Sequence, residues 1–198
     1  MLIKKLNKER KKQAKKIDIL CNDLIAAQRN FIKRLNTISF TANFYKSIIG
    51  TTDLSKLLYI AAKLIKTEIN DANVAFFLRQ ADNFEMYMFE SDQPIALEEQ
   101  HLENCFSTEL MYDICRSNKV CTLDDMFSMG LEGNLIGLNK ISAMTIPLGL
   151  PGSSLGFILV YRSSENKLTA DEVSKISAIT SGLSQAITSC RALSRAAE

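Results

Sequence analysis

The chain has no tryptophan, one histidine and three prolines, and neither glycine nor proline occurs between Met1 and Ile49. It also lacks any stretch near the roughly 18 consecutive apolar residues of a bilayer span, which excludes a membrane-spanning helix. Only Leu2, Ile3, Leu6 and Ala14 relieve the charged and polar residues between Met1 and Lys16. No secretory leader is expected from such a segment. The five cysteines (Cys21, Cys105, Cys115, Cys121, Cys190) are odd in number and form no Cys-x-x-Cys pair. That spacing fits a reducing compartment better than a disulfide framework, and a cytoplasmic protein is expected.

What is present has the balance of a folded domain: 198 residues, 46% hydrophobic and 23% charged. Disorder, collagen and a bare coiled coil are excluded. Charge is unevenly placed. Residues 1–16 carry Lys4, Lys5, Lys8, Arg10, Lys11, Lys12, Lys15 and Lys16 against Glu9, so a head of +7 in a chain of net +2 leaves −5 for the remainder.

Ile3, Ile17, Leu24, Phe31, Ile38 and Tyr45 recur every seven residues, with Arg10 the one break. A companion line of Leu6, Leu20 and Ala27 slips by one to Leu35 and Ala42. A seven-residue apolar repeat of this length is what a supercoiled helix pair needs. The spacing predicts one helix over 2–48, fraying in its lysine-rich first turns and closed by Gly50. Asp53 then caps a second helix whose Leu54, Leu57, Leu58, Ala61, Leu64 and Ile65 face a core. The period changes to two in Asn73–Arg79 and Phe84–Glu90, a hairpin, and again in Ile141–Leu148 and Leu155–Arg162, a second hairpin across Gly149–Ser154. Both faces of these strands are apolar, so helices cover one side and the 91–140 stretch, with a short helix at Phe106–Arg116, covers the other. Thr169 and Glu172 have capping-box spacing, opening a last helix in which Val173, Ile176, Ile179, Leu183, Ala186, Cys190, Leu193 and Ala197 step by threes and fours. Ile17, Leu24, Phe31, Ile38, Ile176, Ile179, Leu183 and Leu193 are the expected contacts of a parallel homodimer.

Ser142-Ala-Met-Thr-Ile-Pro-Leu148, the glycine-rich turn, Gly156-Phe-Ile-Leu-Val-Tyr-Arg162 and the Thr169–Glu172 start resemble a GAF domain over residues 35–190. The fold class is therefore α+β, a GAF/PAS-like antiparallel sheet with helices on one face and a pocket-roofing segment on the other. Residues 1–34 form a basic N-terminal coiled-coil helix and 191–198 the end of a connector helix. The resemblance implies six strands, a small-molecule pocket beneath the 91–140 roof, and a sensory role in bacterial signalling. Ser189–Glu198 is similar to the connectors that lead into diguanylate cyclase (GGDEF), histidine kinase and HD-GYP domains, so the chain is expected to be a sensor portion or an adaptor.

Phe106, Met111, Tyr112, Met126, Phe127 and Met129 are the candidate pocket lining, and they are equally ordinary core residues. His101, Cys105, Cys115 and Cys121 are soft or borderline ligands within one region, but their spacing matches no knuckle, and small apolar cysteines explain them as well. No metal or cofactor is expected. Asp124 and Asp125 fit polar recognition or a solvated turn, and Gly130, Gly133 and Gly137 a roof that changes shape or plain loop. No Cys-His step is present for a tetrapyrrole. Asn166-Lys167 and Asp171-Glu172 look like a compressed fragment of a cyclic-nucleotide set, and a polar loop with a helix cap accounts for them. The enzyme alternative is a free methionine sulfoxide reductase working through pocket cysteines. The Gly-x-Cys-Gly and Ala-Cys-Asp segments it requires are missing, so no catalytic residues are assigned. A ligand-free dimerisation scaffold is a further alternative. The basic head lacks interleaved aromatics and any recognisable DNA-binding motif. It reads as a solvated helix, with neither a nucleic-acid nor a membrane partner expected.

Overall fold

The computed structural model describes residues 2–81, 83–91, 102–150 and 153–196. The chain divides into residues 1–40 and residues 41–198. Helix α1, Leu2–Ile48, is continuous across that division. Nothing in its sequence breaks it, and Gly50 ends it by turning to φ 78. All residues from 3 to 36 are exposed.

In the second unit, α2 spans Leu54–Glu68. Asp53 caps it, its Oδ1 accepting from the Lys56 amide at 2.6 Å, and Leu57, Leu58, Ala61, Ala62 and Ile65 are buried. Strands β1 (Asn73–Gln80) and β2 (Asn83–Phe89) form the first hairpin; β4 (Ile141–Leu150) and β5 (Ser153–Ser163) form the second. The second pair is longer than its apolar pattern predicts, because pairing continues past a register shift at Leu148/Gly149. Between the hairpins lie a 3-10 turn at Leu102–Cys105, α3 (Thr108–Ser117), the two-residue β3 (Cys121–Thr122), α4 (Leu123–Ser128) and α5 (Leu135–Leu138). Helix α6, Ala170–Ala196, closes the described chain. The strand order is β2-β1-β5-β4-β3, all neighbours antiparallel, which makes five strands among the described residues where the resemblance implies six.

Alternation sorts the sheet into two faces. Ala75, Phe77, Phe157, Leu159, Tyr161, Ile141 and Ala143 pack into one core with the 102–138 segment. Val74, Phe76, Leu78, Ile158 and Val160 are buried on the opposite side, against α2 and α6. Ile176, Ile179 and Leu183 are fully buried there, and this corrects their assignment as dimer contacts. A stripe at steps of three and four serves an intramolecular sheet as well as a partner helix, and over 27 residues the period does not distinguish them. Tyr45 is likewise engaged inside the unit: a Cβ on Gly182 of α6 would stand 2.1 Å from its ring. Leu193 stays exposed.

The short roof helix begins later than predicted, at Thr108, because Ser107 accepts from the Leu110 amide and caps it. Cys105 therefore sits in the preceding 3-10 turn, and Cys105 and Cys115 do not share a helix.

Gly156 is the tightest point of the sheet. Its φ is 136, and a Cβ there would lie 1.9 Å from the Phe77 carbonyl oxygen. Gly156→Ala must part β1 from β5, and a loss of about 2–3 kcal/mol is expected in urea unfolding. A loss below ~1 kcal/mol would show that the two central strands are not packed this closely.

Candidate functional site

The sheet face beneath the 102–138 segment differs in chemistry along its length. At one end three rings stack: Phe77 lies 4.8 Å from Phe157 and 5.2 Å from Phe106, with Phe106 5.9 Å from Phe157. Phe84 packs edge-on to Tyr112 at 5.2 Å, and the Arg79 guanidinium lies 5.2 Å over the Tyr112 ring. Apolar strand positions and the amphipathic α3 bring these groups together.

The other end is polar. Cys121 of β3 pairs with Thr145 of β4, which pairs with Leu159 of β5. Thr145 is fully buried, and its Oγ1 has no hydrogen-bond partner. The Ser117 hydroxyl is 3.4 Å from the Cys121 thiol. Ser154, brought to this face by the register shift, lies toward the aromatic end instead, opposite Gly149 and with its hydroxyl against the Cys115 thiol. Buried hydroxyls usually have partners, since leaving one unpaired costs about 1–3 kcal/mol. The unpaired Thr145 hydroxyl makes this end a place prepared for another polar group.

A third polar pair fastens the roof. The Tyr161 hydroxyl donates to Glu103 Oε2 at 2.7 Å with both residues buried. Burial, then the Glu103 carboxylate, push the Tyr161 hydroxyl well above its ordinary range, so it remains a donor.

Of the sequence-predicted lining, Phe106, Met111 and Met126 lie in the core of this face, while Phe127 and Met129 are half-buried against it, as is Tyr112 against Phe84. Asp125 closes a capping box with Thr122, whose hydrogen bonds hold its carboxyl below the usual range, and Asp124 is exposed. His101 lies outside the described residues, and among the described residues no group of three or more His, Cys, Asp or Glu is placed to hold a metal. Burial pushes the Cys105 and Cys115 thiols up, for Cys105 with help from Glu103 and for Cys115 against the opposing effects of Ser154 and Arg79. Asn166 and Lys167 offer their backbone carbonyls to Arg162, which also pairs with Glu172 at 2.9 Å. Thr169 and Glu172 do form the predicted capping box.

Sequence reasoning missed Thr145, Ser154, Glu103 and Tyr161. Thr145 leaves one trace, a hydroxyl at an inward position of an otherwise apolar strand. Glu103, in an irregular segment, leaves none.

No family profile and no curated protein matches the chain. Solved structures do. A GAF domain/HD domain protein from Geobacter sulfurreducens is 14% identical, with 73% of this chain and 98% of that one covered at a TM-score of 0.56. The GAF domain of a phosphoenolpyruvate-protein phosphotransferase from Coxiella burnetii is 10% identical, with 81% and 98% covered and a TM-score of 0.58. The free methionine-R-sulfoxide reductase of Neisseria meningitidis is 12% identical, with 79% and 91% covered and a TM-score of 0.57. The chain has a GAF-like fold.

Proposed function

We propose that the chain is a sensory module that binds a small molecule between the sheet and the 102–138 segment and passes its occupancy to a homodimer of terminal helices. The unpaired Thr145 hydroxyl carries this reading. It offers a hydrogen bond to a ligand whose less polar part faces the aromatic end. The roof is stapled to the sheet by the Glu103–Tyr161 hydrogen bond, so entry parts the roof helices while that staple holds. A small molecule that favours one roof position shifts the population of the dimer by its difference in affinity for the two states. The output is of the diguanylate cyclase or histidine kinase kind.

The dimer seam is α1. Ile17, Leu24, Phe31 and Ile38 are 59–70% exposed on a helix with no core of its own. A ligand-binding role has more support than a pocket-cysteine enzyme, because an attacking cysteine needs a lowered pKa and burial raises Cys105 and Cys115.

Native mass spectrometry of the purified chain, with Thr145→Val beside it, tests this. The expected wild-type species is a dimer with extra non-covalent mass. Thr145→Val should lose that mass while its ligand-free form unfolds at the same temperature or higher, since Val removes an uncompensated buried hydroxyl worth about 1–2 kcal/mol. A bare wild-type dimer would make the fold a scaffold. Retention of the same mass by Thr145→Val would remove this hydroxyl from the site.

A further inference from the structure

Continuous helix from Leu2 sorts the basic head by direction. At 3.6 residues per turn, Lys4, Lys8, Lys11 and Lys15 form one line, with Lys5, Lys12 and Lys16 beside it. These seven lysines occupy an arc of about 140°. The arc is centred roughly opposite the stripe of Ile3, Leu6, Ala14 and Ile17. Every one of these side chains is exposed. Arg10 is the one basic residue that falls on the apolar stripe. The charge is also unfavourable to the helix that carries it. Lys4–Lys8, Lys8–Lys12, Lys11–Lys15 and Lys12–Lys16 are like-charged pairs four apart, and the first turn has no acidic residue to meet the positive end of the helix dipole. An anionic polymer along this face would relieve both.

We infer that the lysine face of α1 binds the phosphate backbone of duplex nucleic acid without reading its sequence. The four lysines in line span about 16 Å of helix, enough for several successive phosphates. Lysine is a point charge without the planar fork that reads a guanine edge, which fits backbone contact rather than base readout. Repulsion from the −5 of the remaining chain keeps the nucleic acid at the head. A lipid surface fits less well. A helix held at a bilayer surface must bury an apolar face as well as use its lysines, and here the face opposite the lysines offers little beyond Ile3, Leu6, Ala14 and Ile17. The stripe is also interrupted by Arg10 and Gln13, and residues 1–16 contain no aromatic residue. The inference holds for one helix or for two, and so stands apart from the dimer.

The test is fluorescence anisotropy of the full chain with a labelled mixed-sequence DNA duplex of about 20 base pairs, in salt from about 50 to 200 mM. Four phosphate contacts predict a slope of about −3.6 in log affinity against log salt, an affinity loss of roughly 100-fold over that range. Replacing Lys4, Lys8, Lys11 and Lys15 together by Gln should flatten the slope by about that amount, without changing the unfolding temperature of the globular unit. Wild type should gain helical circular dichroism on binding. Absence of binding at the lowest salt, or a slope unchanged by the four substitutions, overturns the inference. Tighter association with phosphatidylglycerol vesicles than with the duplex also overturns it, in favour of a lipid surface.

Discussion

Leu183→Asp is expected to abolish folding of the globular unit, whereas Leu24→Asp is expected to leave it folded and to convert the proposed dimer to monomer. Leu183 is fully buried between α6 and the sheet. Truncating a leucine in such a place costs about 3–5 kcal/mol before any charge is considered. An aspartate adds a carboxylate with no basic partner, which must be protonated or bring water in. The total approaches the 5–15 kcal/mol by which a domain of this kind is stable. Near-ultraviolet circular dichroism should be lost, together with a cooperative thermal transition. Leu24 is 70% exposed, and its replacement costs the monomer only the ~0.5 kcal/mol or so of lower helix propensity. In a paired helix the same aspartate falls in the apolar seam. Light scattering after size exclusion should give the monomer mass for Leu24→Asp and the dimer mass for wild type. A folded Leu183→Asp dimer, or an unchanged mass for Leu24→Asp, would contradict the packing or the pairing respectively.

Arg162→Met is expected to lose about 3–5 kcal/mol of stability, the usual cost of removing one member of a buried ion pair. The Arg162 side chain is 4% exposed. Nη2 donates to the Lys167 carbonyl at 2.8 Å and to Glu172 at 2.9 Å, Nη1 donates to the Asn70 carbonyl at 3.4 Å, and Nε donates to the Asn166 carbonyl. One guanidinium thus joins β5, the connection before β1 and the first turn of α6. Methionine fills a similar length but leaves these carbonyls and the carboxylate without their donor. Glu172 also accepts from the Thr169 amide and hydroxyl, both at 2.8 Å, so the helix start would loosen with it. Arg162→Lys keeps the charge but not the fork, and an intermediate loss is expected. Urea unfolding measures both variants; a loss under ~1 kcal/mol for Arg162→Met would mean that water replaces the guanidinium without penalty.

Much of the architecture is legible in local pattern. The absence of Gly and Pro, the change from period three-and-four to period two, and the Asp53 and Thr169 caps locate α1, α2, both hairpins and α6 within a few residues. Features that depend on distant partners are not legible. Arg162 looks like the polar end of an apolar strand until Asn70 arrives beside it, and Glu103 looks like a loop residue until Tyr161 meets it. The α6 stripe misleads because a helix on its own sheet and a helix in a bundle need the same spacing. The aromatic and methionine half of the candidate face follows from bulk and position. The buried hydroxyls do not, since Ser154 reaches that face only through a register shift at Leu148/Gly149 and Thr145 is one hydroxyl in an apolar strand.

The central position of β5 has a consequence for biosynthesis. Among the described strands, the one in the middle of the sheet is the last to be made, and its neighbour β1 ends at Gln80 while β5 ends at Ser163. At ribosomal rates of about 5–20 residues per second, β1 and β2 wait roughly 4–16 s for the strand that completes them. During that interval the hairpin displays an open edge and, on the side of β1 away from α2, an apolar surface, the condition under which nascent chains pair with one another. The sheet can close only by a non-local step, which places it among the slower folding topologies. Until β5 is released, the shield within reach of that side of β1 is the emerging roof segment, whose elements precede β5 in the chain.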